Sequence, residues 1–526
     1  MNAINIIQNA LISVYDKQNI VKISKNLVKN KISLFATEGT SKTLHKHNIP
    51  VTSISDYINF PEIMNGRVKT LHPKILAGIL NRGNEDQLIM NFYNISSINM
   101  VIVNFYPFEK VQKNPKNKID DIIENIDIGG PTLVRAAAKN YKNVIVIVDL
   151  LDVQSVINKV KNNSFTIENR LDLADKAFRY TLSYEKKISQ YFFKKNVFNK
   201  KCINKNFPNE INLKFIKKQN LRYGENQHQK SSLYIEKNIS SSTGTISCSN
   251  QLQGKVLSYN NISDAEVALE CVKEFINPAC VIVKHGNPCG VSESNSLLKS
   301  YLSAYRSDPV SAFGGIVAFN SVLDEKTAQE IVEKQFVEVL IAPKINSLAL
   351  KILKKKSNIR VLISGKIKKC QIGLDFKKIN YGLLLQEYDY DDMNYKKWKF
   401  VTKRFPTTQE LKDAIFCWKV AKFVKSNAIV YGFNGTTISI GAGQMSRIYS
   451  TKIANIKAKD QKINITGSTM ASDAFFPFRD GIDSAASIGI KCIIQPGGSK
   501  RDQEIIQAAN EYNIAMIFTN KRHFRH

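Results

Sequence analysis

The stretch Ala279-Cys280-Val281-Ile282-Val283-Lys284-His285-Gly286-Asn287-Pro288-Cys289-Gly290 decides how the larger part of this chain is read. Its first five residues are small or β-branched, as in a buried strand. Gly and Pro then punctuate the run, so the strand is expected to stop there and deliver Lys284 and His285 together at its end. In open α/β sheets, ligands gather at strand ends. A solvated lysine beside a hydrogen-bonded turn histidine would give the same residues, and the stretch alone leaves both readings open.

Moving outward, the pattern recurs. A helix over 264–275 leads into the stretch, and apolar strands at 316–319, 337–341, 429–431 and 515–519 each meet Gly, Pro or polar residues. Lys425, Ser426 and Asn427 precede one of these strands. Gly441, Gly443, Gln444, Ser446 and Arg447 form a Gly-rich loop ending on a cation, and Phe475, Phe476 and Phe478 surround Pro477. Two similar cycles of helix and strand suggest a duplicated α/β unit with one site between the copies.

Towards the N-terminus the alternation is simpler. Strands are expected at 10–15 and 32–36, with a helix over 16–28 capped by Asp16. Thr37, Glu38, Gly39, Thr40 and Ser41 open the next helix, whose free N–H groups and dipole favour a phosphate, although an ordinary capped helix uses the same residues. A polar loop at 65–74 carries Arg67, Lys69 and Lys74. A strand at 100–103 runs into Tyr106, and Asp127 precedes Gly129-Gly130-Pro131 at the start of a helix containing Arg135 and Lys139, a second candidate anion or oxyanion cradle. After a strand at 144–148, periodicity is lost over 194–218, the expected linker between a domain at 1–199 and another at 200–526.

Composition narrows the class. A chain of 526 residues exceeds one hydrophobic core. Eight cysteines without a Cys-x-x-Cys pair argue against a disulfide framework or a structural zinc cage. The formal net charge of +30 invites a polyanion partner, but the lysines are spread along the chain among Asn and Ile, so small anionic substrates are expected rather than nucleic acid. Neither a targeting signal nor an apolar run of bilayer length is evident, which points to the cytoplasm and to no membrane partner.

Taken together, residues 66–73, 125–132, 136–140, 222–226, 284–290, 441–447, 472–480 and 522–526 resemble, in order and along essentially the whole length, the bifunctional purine-biosynthesis family that joins AICAR transformylase to IMP cyclohydrolase. The resemblance implies a methylglyoxal-synthase-like α/β domain first, then two cytidine-deaminase-like α/β units, with the transformylase site formed across a homodimer. It implies 10-formyltetrahydrofolate as formyl donor and cosubstrate, AICAR and FAICAR as the other substrates, and no metal requirement. For formyl transfer it assigns His285 as base, Lys284 to the tetrahedral oxyanion and Asn427 to orientation, with Arg222, Tyr223, Arg447, Phe475, Arg522 and His526 lining the nucleotide and folate region. For ring closure it assigns Asp127 with Lys139 to proton movement and Lys69 with Tyr106 to the developing oxyanion, with Arg67, Thr37, Gly39 and Thr40 binding substrate.

Three departures from the family's motifs fall in the first domain: Tyr15 for a Ser, Ala36 and Glu38 in the phosphate loop, and Leu76 for a His. In the second, Gly286 replaces an Ala. The Glu38 side chain is expected to point outward, because the loop binds through its backbone. An impaired cyclohydrolase beside a working transformylase is the alternative. Pro288 and Cys289 also resemble part of a zinc-deaminase signature, but Ser292 stands where its second Cys would be.

Overall fold

The computed structural model describes residues 7–199, 207, 210–236, 244–367, 373–390 and 395–526. The chain divides into two compact units, Met1–Glu210 and Ile211–His526. The expected linker is helical up to Asn199, and a strand begins at Phe215. Residues 200–206 and 208–209 of it lie outside the described set. No described helix is long and apolar enough to cross a membrane.

In the first unit, strands β1 (Asn9–Val14), β2 (Ser33–Ala36), β3 (Thr52–Ser53), β4 (Met100–Asn104) and β5 (Ile145–Ile147) form a parallel sheet in the order β3-β2-β1-β4-β5. Helices cover both faces, so β4 and β5 read as unbroken apolar runs rather than alternating ones. One core lies around Leu11, Val101 and Val146, the other around Ile12, Ile102 and Ile147. The first helix is Ile20–Lys29, later than expected. Asp16 is not its cap: the cap position is Asn19, and the Asp16 carboxylate accepts the Gln18 N–H at 3.0 Å. A 33-residue helix, Ile167–Asn199, packs across the helix Gly129–Lys139 and β5.

The second unit contains β6 (Phe215–Asn220), β7 (Ser232–Glu236), β8 (Asn250–Gln253), β9 (Ala279–Lys284), β10 (Asn287–Glu293), β11 (Gly315–Phe319), β12 (Val337–Ala342), β13 (Arg360–Ile363), β14 (Leu374–Ile379), β15 (Gly382–Glu387), β16 (Lys399–Phe400), β17 (Ile429–Phe433), β18 (Thr436–Gly441), β19 (Thr469–Ser472), β20 (Cys492–Gln495) and β21 (Ala515–Phe518). β6 with β7 and β14 with β15 are separate ribbons. The other strands make one twelve-stranded sheet, β16-β21-β20-β19-β17-β18-β10-β9-β11-β12-β13-β8.

The opening stretch does not become a loop. β9 turns back through His285 and Gly286 into β10, forming a hairpin. Both turn residues have positive φ, 51° and 73°, as two-residue hairpin turns require. Pro288 is accommodated because the register shifts between Pro288 and Gly290, a bulge that relieves the missing N–H. At Gly290 a Cβ would stand 2.0 Å from the Ala304 carbonyl oxygen, so only glycine lets the helix Leu297–Ser307 cross there.

The duplication is visible in the topology. Helix Tyr259–Val272, hairpin β9–β10, helix Leu297–Ser307 and β11 are repeated as helix Thr408–Ala421, hairpin β17–β18, helix Arg447–Asp460 and β19. Ser258 and Thr407 close the same capping box at the two copies' first helices. The copies join where β10 pairs antiparallel with β18, Ser292 opposite Thr436. Strand directions therefore reverse between copies. The His285-Gly286 turn lies at one end of the sheet, and its equivalent, Asn434-Gly435, lies at the other.

Candidate active sites

In the first unit the polar groups collect where β1, β2 and β4 end. Thr37 and Thr40 are buried, and the Thr40 hydroxyl donates to the Val14 carbonyl at 3.4 Å. Gly39 lies where a Cβ would meet the Lys17 ammonium at 3.5 Å. The Glu38 N–H, at the start of the helix Glu38–His45, donates to the Glu62 carboxylate at 3.3 Å, so this N–H already faces a negative group. The Glu38 side chain runs along the helix to Lys42, 2.5 Å away, and that pairing holds its carboxyl below the usual range. Tyr15 packs against Tyr106 with ring centroids 5.1 Å apart, and Leu76 packs on the apolar core. Arg67 is exposed and paired with Glu124.

Lys69, Tyr106 and Asp127 form one constellation. The Lys69 ammonium donates to the Tyr106 hydroxyl at 3.2 Å. The Asp127 carboxylate accepts the Gly130 N–H at 2.7 Å and the Tyr106 N–H at 3.4 Å. Burial pushes its pKa upward, against the lowering effect of those N–H groups and of the Lys69 charge. Glycine is needed at the helix start: a Cβ at Gly130 would stand 2.5 Å from an Asp127 oxygen, and one at Gly129 would stand 2.3 Å from the Thr70 hydroxyl. Lys139 is not brought to Asp127. It sits at the far end of the helix Gly129–Lys139, roughly 15 Å along at 1.5 Å per residue, and the cation beside Asp127 is Lys69.

Two tyrosines that the sequence did not single out hold this constellation from behind. The Tyr184 hydroxyl accepts the Asp127 N–H at 2.8 Å and donates to the Asn125 carbonyl at 3.3 Å. One turn earlier on the long helix, the Tyr180 hydroxyl accepts the Phe105 N–H at 3.2 Å. Burial pushes the Tyr184 phenol up to about 12, so it stays protonated and serves as both donor and acceptor.

In the second unit one end of the large sheet collects groups from both copies. Lys284 donates to the Phe313 carbonyl, while His285 is exposed at the hairpin turn. Asn287 accepts the Lys425 N–H at 2.8 Å and so ties this turn to the other copy's strand entry. Asp264 faces Gly286. Its equivalent in the other copy, Asp413, accepts the Gly435 N–H at 3.0 Å, so this aspartate supports the turn whether or not a histidine is present. Cys289 is buried with its Sγ 3.5 Å from the Ile282 carbonyl oxygen, and burial pushes the thiol up to about 12.

The Asn427 amide is held at both ends. Its Nδ2 donates to the Gln444 carbonyl at 2.8 Å, and its Oδ1 accepts from Arg447 Nη2 at 2.9 Å. Arg447 is only 7 % exposed and also donates to the Ser472 hydroxyl at 2.7 Å and to the fully buried Asp473 at 2.5 Å. The resemblance assigns Arg447 to the lining of the nucleotide and folate region; its guanidinium here joins Asn427 to Ser472 and Asp473. The C-terminal residues dock here: Arg525 exchanges two bonds with Ser426, at 2.9 and 3.2 Å, and the His523 N–H donates to the Asp473 carbonyl at 3.0 Å. Arg522 lies over the Phe524 ring at 4.6 Å, His526 meets the same ring edge-on at 5.6 Å, and Phe475 is exposed. The Arg222 guanidinium lies over the Tyr223 ring at 5.5 Å, and the Tyr223 carbonyl accepts the N–H of Tyr259, the first residue of the helix Tyr259–Val272, at 3.2 Å.

Each α/β unit thus carries a polar constellation at its strand ends, and comparisons with known proteins give the class as an enzyme with two activities on one polypeptide. The chain belongs to the AICARFT/IMPCHase bienzyme family, whose model matches residues 137–457, preceded by an MGS-like domain matching 19–132. It is 67 % identical over 522 residues to the bifunctional purine biosynthesis protein PurH of Buchnera aphidicola subsp. Acyrthosiphon pisum (strain 5A), covering 99 % of both chains. It is also 67 % identical over 527 residues to the PurH of subsp. Schizaphis graminum (strain Sg), covering all of both. Among solved structures, the crystal structure of ForH is 31 % identical, covering 36 % of this chain and 100 % of its own, with a TM-score of 0.32.

Proposed function

We propose that this chain carries out the last two steps of IMP formation: formyl transfer from 10-formyltetrahydrofolate to the 5-amino group of AICAR, then dehydrating closure of FAICAR to IMP. The observation that carries this reading is that each unit has a polar constellation of its own, Lys69–Tyr106–Asp127 in the first and Lys284–His285 with Asn427 in the second. Ring closure belongs to the first unit, and formyl transfer to the second.

The amine of AICAR is a weak nucleophile, because its lone pair is drawn into the imidazole and carboxamide. As it attacks the formyl carbon, exposed His285 takes the proton, and Lys284 leaves the Phe313 carbonyl to meet the oxyanion. Arg222, Tyr223 and Arg522 grip the nucleotide, and Phe475 and His526 line the folate side. In closure, the FAICAR carboxamide nitrogen attacks its own formyl carbon, so the site acts mainly by holding reactive geometry. Asp127, its basicity raised by burial, takes the amide proton. Lys69 and Tyr106 stabilise the oxyanion and help water leave, and Thr37, Gly39, Thr40 and Arg67 hold the phosphate. The protein works as a cytoplasmic homodimer.

The test measures each half-reaction separately on purified protein. AICAR with 10-formyltetrahydrofolate should yield FAICAR, and supplied FAICAR should yield IMP. Formation of FAICAR without IMP would leave only the transformylase.

A further inference from the structure

The two copies in the second unit supply an internal comparison. By sheet register, Ile429 opposite Ser472 matches Cys280 opposite Phe319, so Asp473 occupies the place that Asn320 holds at the other end. Ser446 and Ser296 precede the equivalent helices Arg447–Asp460 and Leu297–Ser307, so Arg447 matches Leu297. The hairpins align Asn427 with Pro278, and the Ser450 and Ser300 hydroxyls donate to the carbonyls of those two residues, each at 2.7 Å.

At the end away from the proposed site, the places equivalent to Asp473 and Arg447 are held by neutral residues. The Asn320 amide accepts the Ala279 N–H at 2.8 Å and donates to the carbonyls of Asn277 and Phe275 at 2.7 and 3.1 Å, while Leu297 is buried among apolar side chains. The same fold is therefore built without a buried ion pair. Desolvating Arg447 and Asp473 is costly, and a buried pair is weak evidence for stability.

We propose that Asp473 and Arg447 are positioning residues for formyl transfer, clamping the Asn427 amide in one orientation; this rests on the reading of the second unit given above. The chemistry of the contacts enforces the orientation. A guanidinium has no acceptor, so Asn427 Oδ1 must face Arg447; a carbonyl has no donor, so Nδ2 must face Gln444. Asp473 Oδ1 holds Arg447, and its Oδ2 accepts from the Ser426 hydroxyl at 2.5 Å, which in turn accepts the Arg525 N–H. One buried carboxylate thus fixes the amide and anchors the C-terminal segment. Without the charge, Arg447 swings and the amide is free to flip.

The decisive variant brings in the residues of the opposite end, Arg447→Leu with Asp473→Asn. It should fold, unfold cooperatively near the wild-type temperature and convert supplied FAICAR to IMP at the wild-type rate. Its kcat for formyl transfer should fall roughly 10- to 100-fold, with KM for AICAR changed less than about threefold. Adding Asn427→Ala should cause no further loss, because the pair acts through that amide. Arg447→Lys, which keeps the charge near Asp473 but cannot also reach Asn427, should show the same fall in kcat. The proposal is overturned if the double variant does not fold, if its kcat stays within about twofold of wild type, if the loss lies in KM, or if it multiplies with Asn427→Ala. Wild-type protein that makes no FAICAR would instead defeat the functional reading.

Discussion

At the scale of single residues, the two candidate bases differ in environment. His285 stands exposed on a tight turn, whereas Asp127 is buried against backbone N–H groups. Replacing His285 with Ala should lower formyl transfer by roughly 10² to 10⁴ and leave cyclisation of supplied FAICAR unchanged, as separate assays of the two steps will report. For Asp127, burial is the largest influence and raises the pKa. The active carboxylate is therefore lost as pH falls through a value above the ordinary aspartate range, and regained as pH rises through it. A pH profile of kcat/KM for cyclisation should show that acidic limb, and the residual activity of Asp127→Asn should lack it. Lys69, Tyr106 and Asp127 were legible because each stands in a dense polar motif beside Gly or Pro. Arg447 was legible as a cation but not as a buried one, because Asp473, which draws it inward, is distant in sequence and unremarkable in its own segment. The pairing of Lys139 with Asp127 rested on the closeness of their motifs in sequence, whereas the helix Gly129–Lys139 separates their backbones.

At the scale of elements, the long helix Ile167–Asn199 explains why the Tyr106 and Asp127 loops keep their relation. Tyr180 and Tyr184, on one face of it, bond to both. Tyr184→Phe removes the acceptor of the Asp127 N–H and the donor to Asn125, costing about 1 kcal/mol of stability. Cyclisation should slow roughly tenfold because the Asp127 loop is no longer fixed, while formyl transfer is unchanged; kinetics alongside thermal unfolding will separate the two effects. The helices and strands around these loops were readable from apolar periodicity. The β9–β10 hairpin was not, because His285-Gly286 reads as a strand stop unless both residues are recognised as able to take positive φ. The start of the helix at Tyr259 was also missed, although Ser258 and Asn261 carry its capping box.

At the scale of the whole molecule, division into two α/β units was legible in the loss of periodicity before Phe215, and duplication in the second unit in its repeated alternation of helix and strand. The reversal that puts the copies' turns at opposite ends was not, because it depends on which strands pair across the join. That join has a further consequence. Val291 donates its N–H to the Thr437 hydroxyl at 2.9 Å, the Ser292 and Thr436 hydroxyls meet at 2.7 Å, and Ser307 reaches the Thr437 carbonyl. With the sheet continuous through this seam, neither copy opens alone, and the unit should behave as one cooperative foldon. Amide protons of β9 and β17 should then exchange with deuterium at one common opening free energy. A cavity made in the first copy only, by Val317→Ala, should lower that value by roughly 2 kcal/mol in both copies. Faster exchange confined to β9 and its neighbours would mean that the two copies melt separately.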